Sequence, residues 1–162
     1  MPDLYEPNDS LGGGATNLGV VSTALSIPNL SIDSYNEDWF KFQTTGNGAT
    51  TVGINFLHAQ GDLDLQVRDF NGNWLGSSTS SSNNETVNLS YLPAGTYYAQ
   101  IYGWNGASNP NYTLNLSTPS APLASRSRLP PWHPDPPCPP WHPDPPCPPW
   151  HPDPPCPPYN TV

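Results

Sequence analysis

Asp62-Leu-Asp-Leu-Gln-Val-Arg-Asp69, followed by Phe70-Asn-Gly-Asn73, is the stretch that decides the fold. Its two leucines and its valine alternate with polar residues, so a strand here sends its apolar side chains to one face. Such a strand is half buried in an antiparallel sheet, and we expect Asp62 and Asp64 on its solvated face. The Asn-Gly pair that follows is the strongest short signal for a β-hairpin.

The same kind of pattern recurs along the first 118 residues. Short apolar or alternating runs are separated by turn residues such as Gly, Pro and Asn, and no window of useful length has helical periodicity. The pattern therefore predicts an all-β fold, a jelly-roll-like antiparallel β-sandwich. The predicted strands lie near 18–22, 28–32, 38–44, 49–56, 62–69, 73–77, 85–91, 95–103 and 110–117.

Composition divides the chain into three parts. Of the 24 prolines, 17 lie from Pro130 onward and only 5 lie before Pro119, and all three cysteines are in the C-terminal part. We predict a β-sandwich over 1–118, a linker over 119–129 and a proline-rich tail over 130–162. A domain of about 115 residues is large enough to bury one core.

The tail repeats Pro-Pro-Trp-His-Pro-Asp-Pro-Pro-Cys three times without a break, over 130–138, 139–147 and 148–156. Proline excludes a helix and a central strand, so we expect extended polyproline II, which has three residues per turn. Because nine is a multiple of three, the Trp, Asp and Cys of every repeat fall on one side. The tail is therefore predicted to be a stiff rod with the Trp, Asp and Cys side chains of all repeats along one side.

Three hypotheses remain open for this tail. The cysteines could form disulfides between chains, because an odd number cannot all pair internally and cysteines about 28 Å apart on a stiff rod cannot meet. The Cys-x3-His spacing could bind zinc if a neighbouring chain added ligands. The tail could also be an inert spacer or a ligand for aromatic grooves. The residues concerned are Trp132, Trp141, Trp150, His133, His142, His151, Cys138, Cys147 and Cys156.

The charge balance argues against one class of partner. Residues 1–118 carry ten Asp or Glu against Lys41 and Arg68, a net charge of −8, which leaves too few cations to bind nucleic acid phosphates. No run approaches the eighteen or more apolar residues of a membrane span. The sequence begins without a recognisable signal peptide, so we expect either that it was trimmed or that export uses another route.

Seven short motifs occur in a recognisable order. They are Glu6-Pro-Asn-Asp-Ser10, Ser31-Ile-Asp33, Asp38-Trp-Phe-Lys-Phe42, Gly61-Asp-Leu-Asp-Leu65, Asn71-Gly72, Leu92-Pro-Ala-Gly-Thr-Tyr-Tyr98 and Asn111-Tyr-Thr-Leu114. Through them, residues 3–118 resemble the bacterial pre-peptidase C-terminal domain family, which is similar to the collagen-binding domains of clostridial collagenases. The resemblance implies a jelly-roll sandwich on a secreted protein, acting as an accessory module without catalytic activity.

The resemblance also implies a calcium site. In the collagen-binding relatives, carboxylates and an amide of the N-terminal segment join an Asp-aromatic motif to hold the ion. The matching positions here are Glu6, Asn8, Asp9 and Asp38, with Asp33 as a further candidate. Their oxygens and backbone carbonyls could supply the six to eight ligands that calcium prefers. A further ligand position of the family is Leu4 here, and the Asn and Asp residues could instead simply form turns.

Two other groups of residues are candidates for function. Tyr98, Tyr102 and Trp104 could form a binding surface for sugar or peptide, although aromatic side chains also fill sandwich cores. His58 is the only histidine before the tail, and with no second histidine or cysteine there a catalytic triad has no support. We therefore predict that the chain is not an enzyme.

Two hypotheses for function follow. The first is an extracellular structural protein whose β-sandwich beads self-assemble through the tail into a filament or surface layer, with other copies of the chain as partners. The second is an accessory binding module for a polysaccharide, a collagen-like surface or a protein surface, with the tail as a spacer. Both place the protein outside the cell or on the cell surface.

Overall fold

The computed structural model describes residues 3–46 and 48–118. All of the predictions for the linker and for the repeats of the tail lie outside these residues. None of the helical segments in the described ranges is long and apolar enough to cross a membrane.

Nine strands form the domain, and each of the predicted strands is present. They are β1 (Thr16–Val20), β2 (Leu25–Ile32), β3 (Glu37–Thr44), β4 (Gly48–Phe56), β5 (Leu63–Asp69), β6 (Trp74–Ser78), β7 (Asn84–Leu92), β8 (Gly95–Gly103) and β9 (Asn109–Ser117). Short 3-10 turns lie at Gly12–Gly14, His58–Gln60 and Trp104–Gly106. The largest difference is in β2, which begins at Leu25 and runs through Pro28. It can do so because β2 is an edge strand, where a missing N–H is tolerated.

The strands form two sheets that pack as a sandwich. One sheet has the order β1-β3-β8-β5-β6 and the other has the order β2-β9-β4-β7. The predicted all-β sandwich is confirmed, and its strand pairs are antiparallel except that β1 pairs with β3 in parallel. The chain can make this parallel pair because β2, which lies between β1 and β3 in sequence, belongs to the other sheet.

The core lies between the sheets and follows from the alternation in the strands. Every second residue of a strand faces the other sheet, so the apolar residues of both sheets meet in one layer. The buried cluster includes Ile27, Leu30, Ile32, Phe40, Phe42, Val52, Ile54, Phe56, Leu63, Leu65, Val67, Val87, Ala99, Ile101, Tyr112, Leu114 and Leu116.

The prediction of a solvated acidic face on β5 is wrong for Asp64. Its neighbours Leu63 and Leu65 are buried as expected, but Asp64 is itself only 2% exposed. Burial raises the pKa of the Asp64 carboxyl to about 6, and the charges of Asp62 and Glu85 add to the rise, while a hydrogen bond with Tyr102 opposes it. Alternation gives the face of a strand, but it does not show what covers that face.

Three connecting loops meet at one end of the sandwich. In the register, Ile32 lies opposite Asn109, Phe56 lies opposite Tyr112, and Leu63 lies opposite Gly103. The loops over residues 33–36, 57–62 and 104–108 are therefore neighbours, and we call this surface the loop end. Strand β9 runs away from it, so Thr118, whose hydroxyl donates to the Val21 carbonyl at 2.6 Å, lies at the opposite end.

Candidate functional site

The N-terminal segment is fastened beside the start of β3. The Trp39 N–H donates to the Asn8 carbonyl at 2.8 Å, and the Ser31 N–H donates to Asp3 Oδ2 at the same distance. These bonds hold the segment that carries Glu6, Asn8 and Asp9 close to Asp38. The predicted ligands from two separate motifs are thus brought together by backbone contacts.

Asp38 is the buried carboxylate of this group. It is 0% exposed, and its Oδ2 accepts a hydrogen bond from the Tyr112 hydroxyl. Burial raises the pKa of Asp38 to about 7; the tyrosine opposes the rise, and the charges of Glu6, Asp3 and Asp9 add to it. We call the site formed by Asp38, Glu6, Asn8 and Asp9 the N-terminal pocket. Negative charge is concentrated there around a carboxylate that is removed from water.

Three buried polar atoms in this pocket have no hydrogen-bond partner. They are Oδ1 and Nδ2 of Asn8 and Oδ1 of Asp38. A buried polar atom without a partner costs free energy, and oxygen atoms of this kind are the ligands that calcium prefers. Burial also raises the pKa of Glu6, an effect that the Asn8 N–H opposes and that the charge of Asp9 increases. These atoms and charges are what the structure shows at the predicted calcium ligands.

Two features reduce the number of side-chain ligands that the pocket offers to a cation. Within residues 3–46 and 48–118, no three His, Cys, Asp or Glu side chains form a group that could hold a metal by themselves. Leu4 is 98% exposed and offers no ligand, and Asp33 lies in the exposed turn after β2. A cation here would need the Asn8 carboxamide and backbone oxygens in addition to carboxylates.

Sequence reasoning missed two contributors to this pocket. Asp3 acts on Asp38 through its charge, and Tyr112 supplies the hydrogen bond. Tyr112 stands in one of the motifs that carry the family resemblance, but its apolar surroundings made it indistinguishable from core aromatics. Its hydroxyl has the high pKa expected of a buried phenol beside a carboxylate.

The three aromatic residues predicted to form a binding surface differ in their exposure to solvent. Tyr98 is 3% exposed and packs edge-on against Trp39, with ring centroids 6.4 Å apart. Arg68 lies over the Trp39 ring at 5.9 Å and donates to Gln100 at 3.1 Å. Tyr98 therefore belongs to a closed network on the outer face of the five-stranded sheet. Tyr102 is half-buried, and Trp104 is exposed at the loop end.

Large apolar side chains are exposed at the loop end. Tyr35 is 88% exposed, Trp104 is 57% exposed and Leu57 is 55% exposed, each on a different loop. Tyr35 and Asn105 have left-handed backbone conformations, with φ of 62° and 50°. Residues other than glycine rarely adopt such angles, and they are retained mainly where the surrounding structure holds them.

Hydrogen bonds tie two of these loops together. The Trp104 N–H donates to the Asp62 carbonyl at 2.9 Å. The buried Asn109 side chain donates to the carbonyls of Leu57 and Gly61 at 3.2 and 2.8 Å. A Cβ at Gly61 would lie 1.9 Å from the Ser108 carbonyl oxygen, so only glycine allows this approach. The loops that carry Leu57 and Trp104 are thus held together by hydrogen bonds and close packing.

His58 lies on the same loops and is paired with a carboxylate. Its Nδ1 is 3.0 Å from Asp62 Oδ1, and its backbone N–H donates to Asn83. No hydroxyl among the described residues hydrogen-bonds its ring, so the His58–Asp62 pair has no nucleophile there of the kind a triad requires. The pair braces the loop.

Comparison with known proteins agrees with the sequence resemblance. Residues 36–103 match the family model described as the bacterial pre-peptidase C-terminal domain. The fold is similar to the pre-peptidase C-terminal domain of collagenase from Bacillus anthracis, with a TM-score of 0.50 and 15% identity, over 64% of this chain and 94% of that chain. The resemblance to this family is therefore confirmed, and the structural likeness shows the fold.

Two other solved structures are weaker matches. A Yersinia pseudotuberculosis-derived mitogen has a TM-score of 0.48 and 13% identity, over 65% of this chain and 93% of that chain. A periplasmic inhibitor of g-type lysozyme from Aeromonas hydrophila has a TM-score of 0.49 and 14% identity, over 64% of this chain and 96% of that chain. No curated protein sequence matches the chain.

Proposed function

Because residues 36–103 match the family model of the bacterial pre-peptidase C-terminal domain, we propose that this chain is an accessory binding module that attaches to an extracellular polymer through the loop end. The observation that carries the proposal is the exposure of Tyr35, Leu57 and Trp104 on three neighbouring loops. Large side chains of this kind are enriched where proteins bind partners.

The position of this surface also supports attachment. Thr118, the last described residue, lies at the opposite end of the sandwich, so the chain leaves the described part of the domain on the side away from the loop end. Pre-peptidase C-terminal domains are accessory domains without catalytic activity of their own, which is the role proposed for residues 3–118. We place the module outside the cell or on its surface.

We propose that calcium occupies the N-terminal pocket, held by Asp38, Asn8, Glu6 and Asp9. The support is the set of buried oxygens without partners and the accumulated negative charge. When bound, the ion would neutralise this charge and join the N-terminal segment to β3. Its role would be to stabilise the fold, because the pocket is built from the segment and the strand rather than from the loop end.

Self-association through the tail is a second proposed function, and it has one specific observation in its favour. The three cysteines at 138, 147 and 156 are an odd number in a chain that has no other cysteine. At least one thiol therefore needs a partner in another chain or stays free. This function is compatible with binding through the loop end.

The proposed function is tested by adsorption of the full-length protein to insoluble extracellular polymers. Saturable depletion from solution, lost when Tyr35 and Trp104 are both replaced by alanine, is the expected result. Circular dichroism and the melting temperature should be unchanged in this double variant, because both side chains are exposed. Failure of the folded protein to adsorb to any polysaccharide or protein polymer would contradict the proposal.

A further inference from the structure

We propose that the ligand of the loop end is a neutral polysaccharide, which stacks on Tyr35 and Trp104. This inference rests on the proposed function and names the chemical class of its ligand. It is drawn from the geometry of the two aromatic side chains, from the polar groups beside them and from the charge of the loops.

The two aromatic residues stand on neighbouring turns with their rings accessible. One edge of the Tyr35 ring lies against Gly106, where a Cβ would be only 2.3 Å from Tyr35 Cε1. At 88% exposure, most of the Tyr35 side chain is open to solvent. Trp104 begins the turn that Gly106 ends. Open aromatic faces can bind the apolar C–H face of a sugar ring while the polar edge stays hydrated.

Uncharged hydrogen-bonding residues lie beside these two aromatic residues in sequence. Ser34 and Asn36 flank Tyr35, and Asn105 and Ser108 follow Trp104. Three of these four residues are exposed, and Asn36 is half-buried. Amides and hydroxyls both donate and accept hydrogen bonds, so they can pair with sugar hydroxyls in either direction.

The charge of the loop end disfavours an anionic ligand. The three loops contain no lysine or arginine, whereas they contain the carboxylates of Asp33 and Asp62. Like charges repel during approach and in the complex, so an acidic polysaccharide would meet an unfavourable field. A neutral polymer avoids this cost.

The shape of the loop end disfavours a polypeptide. Peptides are commonly bound as an added strand along a free sheet edge, or as a helix in an apolar groove. The loop end consists of connecting loops, and its large apolar side chains stand on three separate loops rather than along one strand or helix. A ligand that is itself rigid and ring-shaped suits this surface, since such a ligand loses little freedom on binding.

The test uses the full-length protein and five insoluble polymers. Microcrystalline cellulose, chitin and β-1,3-glucan are neutral glycans, polygalacturonate gel is an acidic glycan, and fibrillar collagen is a protein polymer. We expect saturable adsorption to at least one neutral glycan and none to polygalacturonate. Tyr35→Ala and Trp104→Ala should each weaken that adsorption about tenfold or more, whereas Tyr35→Phe should retain it.

Trp74→Ala is the matched control, because Trp74 is 60% exposed beside the hairpin at the opposite end. It should leave adsorption unchanged. If the protein adsorbs only to collagen and both loop-end variants weaken this adsorption, the proposal of a neutral glycan as ligand is wrong. The proposed function as a binding module would still hold. Glycan adsorption that is insensitive to both variants would overturn the loop end as the site. No adsorption to any of the polymers would overturn both proposals.

Discussion

Tyr112 donates a hydrogen bond from its hydroxyl to Asp38 inside the sandwich, although the two residues are 74 positions apart in sequence. Asp38 belongs to the five-stranded sheet and Tyr112 to the four-stranded sheet, so the bond joins the two layers. It also supports a carboxylate whose pKa burial raises to about 7. The candidate calcium pocket therefore depends on the packing of the sheets.

Replacing Tyr112 with phenylalanine should lower the free energy of unfolding by about 1–3 kcal/mol, since it leaves the buried Asp38 oxygen without its donor. Denaturant unfolding of Tyr112→Phe measures this loss. Tyr91→Phe is the control, because Tyr91 is 62% exposed. Equal stability of the two variants would show that the hydrogen bond contributes little.

Calcium should raise the melting temperature of the full-length protein, because an ion that binds only the folded state stabilises it. Asp38→Asn and Asn8→Ala should remove this effect, and Asp62→Asn should retain it, as Asp62 lies at the loop end. Without calcium, Asn8→Ala should cost little stability, because both polar atoms of the Asn8 side chain lack partners. A calcium response that survives Asp38→Asn would contradict the proposed pocket.

The stability of the protein should depend on pH through Asp64. Its pKa is about 6 in the folded state and 3.8 in the unfolded reference, so the folded state binds the extra proton between these values. Stability from this group is therefore present below pH 4 and is lost as the pH rises through 6, by roughly 2 kcal/mol. Asp64→Asn should be more stable than the parent at pH 8, and this advantage should vanish at pH 4.

Asp69 should contribute a pH dependence of stability that is opposite in sign to that of Asp64. Hydrogen bonds from Asn73, and from the backbone N–H groups of Asn71 and Gly72, hold the pKa of the Asp69 carboxyl below its usual range. Its stabilisation is present above the unfolded pKa and is lost as the pH falls. Asp69→Asn should therefore be less stable than the parent at pH 8, with a smaller difference at low pH. Denaturant unfolding at both pH values distinguishes the two variants.

Gly106→Ala should disturb the loop end more than the rest of the fold. Gly106 has φ of 75°, and an added Cβ would meet the Tyr35 ring at 2.3 Å. The ring is exposed and can move, so we expect a loss of only about 1 kcal/mol together with weaker adsorption to the ligand polymer. Gly13→Ala is the matched control, since a Cβ there has nothing within 4 Å. Unchanged adsorption of Gly106→Ala would show that the position of Tyr35 is unimportant.

The cysteines of the tail should link separate chains. Under oxidising conditions, we expect disulfide-linked oligomers of the full-length protein on non-reducing gels, which reducing agent converts to single chains. Replacing Cys138, Cys147 and Cys156 with serine should abolish them. Deletion of 119–162 should leave adsorption through the loop end intact. Single chains under both redox conditions would contradict cross-linking.

Much of the fold could be predicted because strand formation depends mainly on residues that are close together in sequence. All nine strands were expected within a few residues, since alternation and turn residues are properties of neighbouring positions. The parallel pairing of β1 with β3 was not expected, because it depends on the placement of β2 in the other sheet. The candidate calcium ligands of the N-terminal segment could be named from the resemblance to a family. The exposure of Tyr35 and Leu57 at the loop end could not be predicted, because nothing in the sequence of their turns indicates it.

The sequence by itself determined the strands, the apolar layer between the sheets, and the acidic character of residues 1–118. Only the tertiary structure decided which polar residues meet. Tyr98 and Asp64 are buried because the side chains around them cover the outer face of their sheet, and Asp38 finds Tyr112 because two distant strands face each other. The physical reason is that alternation within a strand is a pattern of adjacent residues, which the sequence shows directly. Contacts between strands and loops depend instead on how the folded chain arranges elements that are distant in sequence.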